Sequence, residues 1–271
     1  MTQPRFRIFS YLPNPRIYKA TIAARLCGVE VDIVGAKPPE LADWLWDFNA
    51  RSLDEAGKQQ HADSARQART GFGGTLYKTD AFLAAHPYGT VPAGFSADGQ
   101  VGVFESNSIM RAVARLGDQS AGIYGDDAVT AARVDSFLDV ALVFARDSQI
   151  YLLSLRSPDL TAEVYGACRE ALHHWLGGIE TALAAGSKFI ACNQLTLADI
   201  CFACELALLK NEIGARSNLA KLNLGPMTSE VEQRFPRAYG HFQALCGHDA
   251  FSPDLRPYLH NLAAAAGQDA A

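Results

Sequence analysis

HPYGTVPAGFSADGQVGVFESNSIMRAVARLG, residues 86–117, is the stretch on which the fold turns. Val91-Pro92-Ala93-Gly94-Phe95 and Val101-Gly102-Val103-Phe104 are short apolar runs on either side of Asp98-Gly99, a dipeptide that marks a tight hairpin turn. From Glu105 onward the apolar residues recur at helical spacing through Ile109, Val113 and Leu116. Upstream, residues 6–11 (FRIFSY) read as a strand. Residues 14–28 read as a helix closed by Gly28, because glycine just past a helix end supplies the left-handed cap. Residues 29–34 alternate apolar and acidic side chains as a half-buried strand does, and residues 79–86 form a short helix candidate.

Between these elements, residues 36–78 read as an insertion. KPPELADWLWDFNARS spaces Leu41, Trp44, Leu45 and Phe48 as a helix would, and DEAGKQQHADSARQARTGFGG is polar and glycine-rich. A surface insertion is the plain expectation, and a lid over a binding site the sharper one. Residues 1–117 thus form an α/β domain. Gly117 to Asp127 has the composition of a linker, and residues 128–271 are helix-patterned almost throughout. Long helices are expected at about 127–156, 161–185 and 196–212, a shorter one at about 227–246, and a frayed tail over NLAAAAGQDAA.

The length, 271 residues, suits one large domain or two small ones at about 150 residues each. With 49% hydrophobic and 20% charged residues, the chain is neither disordered nor fibrous. Twenty-four Lys and Arg against 29 Asp and Glu give a net charge of −5, without the basic excess of a nucleic-acid-binding domain, so no nucleic acid is expected as a partner. No apolar run approaches the roughly 18 residues of a spanning helix, so no membrane partner is expected either. Of six cysteines, Cys201 and Cys204 are three apart, but no second pair completes a zinc set and no metal is expected. Free thiols and an N-terminus without an apolar leader core point to the cytoplasm.

The segments HPYGTVPA, VFESNSI and QLTLADI, in that order and at these distances, resemble the cytosolic glutathione transferase superfamily. SYLPNPRIYKATIAARLCGVEV and TDAFLAAHPYGTVPA further resemble the N-terminal domain of the gamma subunit of elongation factor one. The resemblance implies a thioredoxin-like N-terminal domain that binds glutathione, followed by an all-helical domain, and a dimer formed with itself or with a sister paralogue. Glutathione would serve as co-substrate, and a small hydrophobic or aromatic molecule as the second substrate. The 36–78 insertion departs from the elongation-factor pattern, which favours a free-standing transferase.

The resemblance also assigns roles. Val91-Pro92 would be a cis bond whose Val91 backbone pairs with the cysteinyl backbone of glutathione. The Ser106 hydroxyl and N–H would meet the γ-glutamyl carboxylate, with Glu105 on the γ-glutamyl amine. Read by itself, Ser106 is a helix N-cap. Asn14 stands where many members carry serine or threonine. Its amide can donate a hydrogen bond to sulfur but cannot act as an acid or base, and Arg16 adds positive charge nearby. Ser10 and Tyr11 are further hydroxyl donors. Lys78, His86 and Arg16 are candidates for the glycine carboxylate. Phe144, Tyr151 and Leu152 would line the second-substrate pocket, or else belong to the core. Thr196-Leu197-Ala198-Asp199 is a capping-box sequence with a structural role. His173 and His174 point about 100° apart on a helix, so they make poor joint ligands.

A glutathione thiol needs help to react, because a pKa of about 8.5 leaves only a few per cent thiolate at neutral pH. The expected activity is attack of that thiolate on an electrophilic carbon, with β-aryl ether cleavage of the lignin type as the specific candidate. The alternatives are a non-catalytic interaction module like the elongation-factor domain, and a glutathione-disulfide reductase.

Overall fold

A computed structural model describes residues 5–68 and 71–268. The chain divides into two compact units, Met1–Gln119 and Ser120–Ala271.

The first unit runs β1 (Phe6–Tyr11), α1 (Pro15–Cys27), β2 (Val31–Ala36), β3 (Trp44–Trp46), β4 (Arg51–Ser52), α2 (Glu55–Gln60), β5 (Ala65–Gln67), β6 (Thr75–Lys78), α3 (Asp80–Ala85), β7 (Ala93–Ser96), β8 (Gly102–Phe104) and α4 (Ser106–Leu116). The main sheet has the order β2-β1-β7-β8, with β1 and β2 parallel and the two later pairings antiparallel. That is a βαβ unit followed by ββα, the thioredoxin-like half of the fold. α1 is bounded by local chemistry. The Asn14 side chain caps its start, Pro15 occupies the first turn, and Gly28 ends it at φ 64 with its N–H on Ala24 O. A side chain at Gly28 would have to hold the left-handed conformation. Gly28→Ala is therefore expected to lose about 1–2 kcal/mol in urea denaturation.

Residues 36–78 differ from the expectation. Trp44, Leu45 and Phe48 do not share a helix face; a 3-10 turn over Pro38–Asp43 leads straight into β3. The segment builds a second sheet of order β4-β3-β6-β5, in which β3 and β6 run parallel. Leu45 and Trp46 are adjacent and both buried. A strand sends neighbours to opposite faces, and here both faces are covered. Trp46 packs edge-on against Phe9, Phe72 and Phe82, and its indole N–H donates to Leu41 O at 3.0 Å. The segment therefore supplies part of the first unit's core.

The second unit is helical: α5 (Ala128–Ser154), α6 (Ala162–Ala184), α7 (Leu197–Leu209), α8 (Arg216–Ala220), α9 (Val231–Arg234), α10 (Pro236–Gly247) and α11 (Ser252–Gln268). Every residue of α7 is buried, the carboxylates of Asp199 and Glu205 included. α5 and α6 pack on one another, with Phe144 stacked on Trp175 at 4.3 Å, and Trp175 in turn meets Phe202 of α7. The single helix expected at 227–246 is broken. Phe235 precedes Pro236 and takes φ −132, ψ 64, because proline disfavours helical backbone at the residue before it; a new helix starts at Pro236. The tail expected to fray is helical through Gln268, while the last part of that stretch, 269–271, lies outside the described residues.

Candidate functional site

Strand register gathers the candidate residues of the first unit. Phe9 pairs with Ala93, and Ala93 pairs with Phe104. The end of β1, the start of β7 and the end of β8 therefore lie side by side at one edge of the sheet. Ser10 to Asn14 continue from the first, Val91-Pro92 leads into the second, and Glu105-Ser106 leaves the third. Both helices that begin at this edge, α1 and α4, present their N-termini there, where unpaired N–H groups and the helix dipole favour an anion. The Val91-Pro92 bond is cis, as is Leu12-Pro13.

At the start of α1, Asn14 is fully buried. Its Oδ1 accepts the Arg16 N–H at 2.9 Å, and its Nδ2 donates to Ser10 Oγ at 3.3 Å. Asn14 is thus the N-cap, and one amide hydrogen is already directed at Ser10. Ser10 is itself fully buried, whereas Tyr11 and Arg16 are half-buried.

At the start of α4, the N-cap is Glu105 rather than Ser106, and Glu105 makes no side-chain cap bond. It is exposed and holds φ 67, ψ 125, a backbone region that non-glycine residues occupy only at a cost. Ser106 is the first helical residue and is buried. Its hydroxyl accepts from Lys19 Nζ at 3.1 Å, and the same ammonium donates to Asn107 Oδ1 at 2.8 Å. Sequence reasoning passed over Lys19, although the signal was present. Pro15, Ile22 and Ala23 sit four before, three after and four after it, so a cation interrupts the buried face of α1.

Lys78 ends β6. Its ammonium donates to Gly89 O at 2.7 Å and lies 4.7 Å from the Trp46 ring centroid. This ties a cation to the loop that leads into Val91-Pro92. His86 has a different setting. It is buried among the rings of Phe82, Phe95 and Phe104, and neither ring nitrogen makes a hydrogen bond. Burial pushes its pKa down from 6.5 to about 4, with the nearby Gly94 backbone offsetting part of the effect. A neutral core histidine does not supply the cation expected for a glycine carboxylate, and His86 is withdrawn from that role. The folded state resists protonating His86 while the unfolded chain accepts a proton near pH 6.5. Its contribution is therefore full above that pH and lost progressively as pH falls toward 4. The loss is expected to reach about 3 kcal/mol, seen as a falling urea midpoint between those pH values. His86→Leu should flatten that dependence.

In the second unit, Phe144 and Tyr151 are core residues rather than exposed pocket walls. Phe144 is covered by Trp175, and the Tyr151 hydroxyl donates to Glu212 Oε2 at 2.7 Å. Burial and the Glu212 carboxylate push the Tyr151 pKa upward, so this phenol is committed to an internal partner. Leu152 is half-buried. The expected capping box is present: Thr196 N–H donates to Asp199 Oδ2 at 2.8 Å. His173 is held by Glu230 at 2.7 Å, beside Arg169.

Burial raises the thiols of Cys27, Cys168 (to about 12) and Cys246 (to about 11). Cys201 and Cys204 lie buried in α7. None of these five offers an accessible protein nucleophile. Among the described residues, no group of three or more His, Cys, Asp or Glu side chains could hold a metal ion, and no helix is long and apolar enough to cross a membrane.

Comparison with known proteins bears on the fold. Residues 137–249 match the family model described as glutathione S-transferase, C-terminal domain. A glutathione S-transferase-like protein of a Fusarium species, LUC7, is 28% identical over 75% of this chain and 77% of its own length. A probable elongation factor 1-gamma of Arabidopsis thaliana is 28% identical over 92% of this chain, which spans only 48% of that relative. A glutathione S-transferase of Methylobacillus flagellatus, solved with GSH bound, superimposes with a TM-score of 0.62 at 16% identity, covering 92% of this chain and 98% of that one. The thioredoxin-like unit, the helical unit and these matches together show that the chain has the glutathione transferase fold, with residues 137–249 matching that family's C-terminal domain.

Proposed function

We propose that this chain binds glutathione at the sheet edge of its first unit and uses the thiolate as a nucleophile on a hydrophobic, aromatic electrophile. The observation that carries this reading is the register that brings Val91-Pro92, Glu105-Ser106 and the N-termini of α1 and α4 to one edge. In this reading the Ser106 hydroxyl and N–H hold the γ-glutamyl carboxylate, and Glu105 holds the γ-glutamyl amine. The Val91 backbone pairs with the cysteinyl residue, and Lys78 or Arg16 meets the glycine carboxylate. The sulfur lies at the start of α1, where Asn14, Ser10 and Arg16 are the candidate donors.

A donor that cannot titrate favours reactions whose leaving group needs no proton from the protein. A phenolate, with a conjugate-acid pKa of about 10, is such a group. In β-aryl ether cleavage, the thiolate attacks the carbon beside a ketone. A carbon–sulfur bond forms, the carbon–oxygen bond breaks, and its electron pair leaves on the phenolate. That reaction is the specific substrate proposal, and a dimer with itself or with a sister paralogue is the proposed assembly.

Calorimetric titration with reduced glutathione tests binding. A panel of aryl ethers, conjugation substrates and glutathione disulfides then tests the reaction. Micromolar to low-millimolar binding with phenol release supports the reading, and turnover of the disulfides alone would reassign the chain as a reductase. The similarity to elongation factor 1-gamma over 92% of the chain favours a second reading, a non-catalytic interaction module. Absence of glutathione binding by the folded protein would select it.

A further inference from the structure

We propose that Lys19 is a positioning residue of the glutathione site, holding the Ser106 hydroxyl so that its hydrogen points away from the core toward the γ-glutamyl carboxylate. This inference rests on the glutathione reading above. Lys19 is 1% exposed, on the face of α1 that packs against α4. An ammonium carries three donors and no acceptor, so the contact of 3.1 Å to Ser106 Oγ obliges that oxygen to accept. A serine hydroxyl has a single hydrogen. With one lone pair turned inward to Lys19, the hydrogen is directed elsewhere, and the positive charge behind the oxygen polarises the O–H and strengthens it as a donor.

The same ammonium fixes Asn107 Oδ1 at 2.8 Å, tying the second residue of α4 to α1. Lys19 therefore sets the first turn of α4 from below. It also adds a full charge to the partial positive charge that the helix start already presents. An anion bound at Ser106 meets both fields, whereas a neutral group at the same place gains neither. Burying an ammonium in the fold carries a desolvation cost that an apolar side chain of similar length would avoid. A bound carboxylate would offset part of it.

The test compares two ligands and four proteins by calorimetry. The ligands are reduced glutathione and γ-aminobutyryl-cysteinyl-glycine, which lacks only the γ-glutamyl carboxylate. The proteins are the natural chain, Lys19→Met, Ser106→Ala and the double variant, each first shown to be folded by circular dichroism. Lys19→Met is expected to weaken glutathione by about tenfold or more while changing the analogue by less than about twofold. In the Ser106→Ala background the same change should cost at least about threefold less than in the natural chain, because the share that acts through the hydroxyl is gone and only the field of the charge remains. Equal loss of both ligands, or the same loss with and without Ser106, would make Lys19 a packing residue only. If the folded natural chain binds neither ligand, the glutathione reading fails and the role of Lys19 with it. Should Lys19→Met not fold, Lys19→Gln, which loses the charge but keeps a donor, enters the same comparison: a smaller loss, still confined to glutathione over the analogue, is expected, and an equal loss of both ligands overturns the proposal.

Discussion

Asp199→Ala is expected to destabilise the helical unit by about 3–5 kcal/mol, the range seen when one side of a buried charged network is removed. Asp199 is fully buried. Its Oδ2 accepts the Thr196 N–H at 2.8 Å and the Thr196 hydroxyl at 3.0 Å. Its Oδ1 accepts the Ile190 N–H at 3.0 Å and faces His241 Nε2 at 2.8 Å. One carboxylate thus caps α7, pins the loop before it and reaches α10. Alanine would leave several buried donors without an acceptor and no route to water. Chemical denaturation followed by the tryptophan signal measures the loss, since Trp175 lies in this unit. Asp199→Asn should fall between the two, because its amide places a donor against donors on one side. A loss below about 1 kcal/mol for Asp199→Ala would mean that water enters and satisfies these groups.

The second large effect is on binding. Ser106→Ala is expected to raise the Kd for reduced glutathione roughly tenfold to a hundredfold, because a hydrogen bond to a charged group contributes about 1.5–3 kcal/mol. Ser106 is the first helical residue and not the N-cap, so the capping loss usual for serine does not apply. What the fold does lose is one acceptor for Lys19. Ser106→Thr, which keeps the hydroxyl, should restore most of the affinity. Undiminished binding in a folded Ser106→Ala protein would move the γ-glutamyl carboxylate away from the start of α4 and overturn the site as drawn.

Some of this was legible along the chain because the signals are local. Asp98-Gly99 between two apolar runs gave the hairpin of β7 and β8, and Gly28 marked the end of α1. Thr196 and Asp199 are three apart, so their box needs only one helical turn. The helical pattern over about 196–212 marked α7. Each of these depends on residues within a few positions of one another, and chain geometry alone brings them together.

Other features have no local signature. Trp44, Leu45 and Phe48 fit a helical spacing as well as a short strand. What decided between them was the partner strand Thr75–Lys78, thirty residues on, and the aromatic core under Trp46. His86 looked like a cation beside a proline turn until three rings closed around it. Tyr151 and Phe144 had the spacing of pocket walls, and only packing against Glu212 and Trp175 made them core.

The amino-acid sequence by itself determined the outer elements of the first unit, the caps at Gly28 and Thr196–Asp199, the hairpin and the division into an α/β and a helical half. All of these follow from short-range backbone preferences and hydrophobic period. Tertiary structure alone decided which polar groups share an environment. It set Lys19 against Ser106 and Asn107, 87 and 88 positions away, and ranked Lys78 above His86 as a candidate cation. Burial and pairing depend on what the rest of the chain brings alongside a residue, and no spacing along the sequence encodes that.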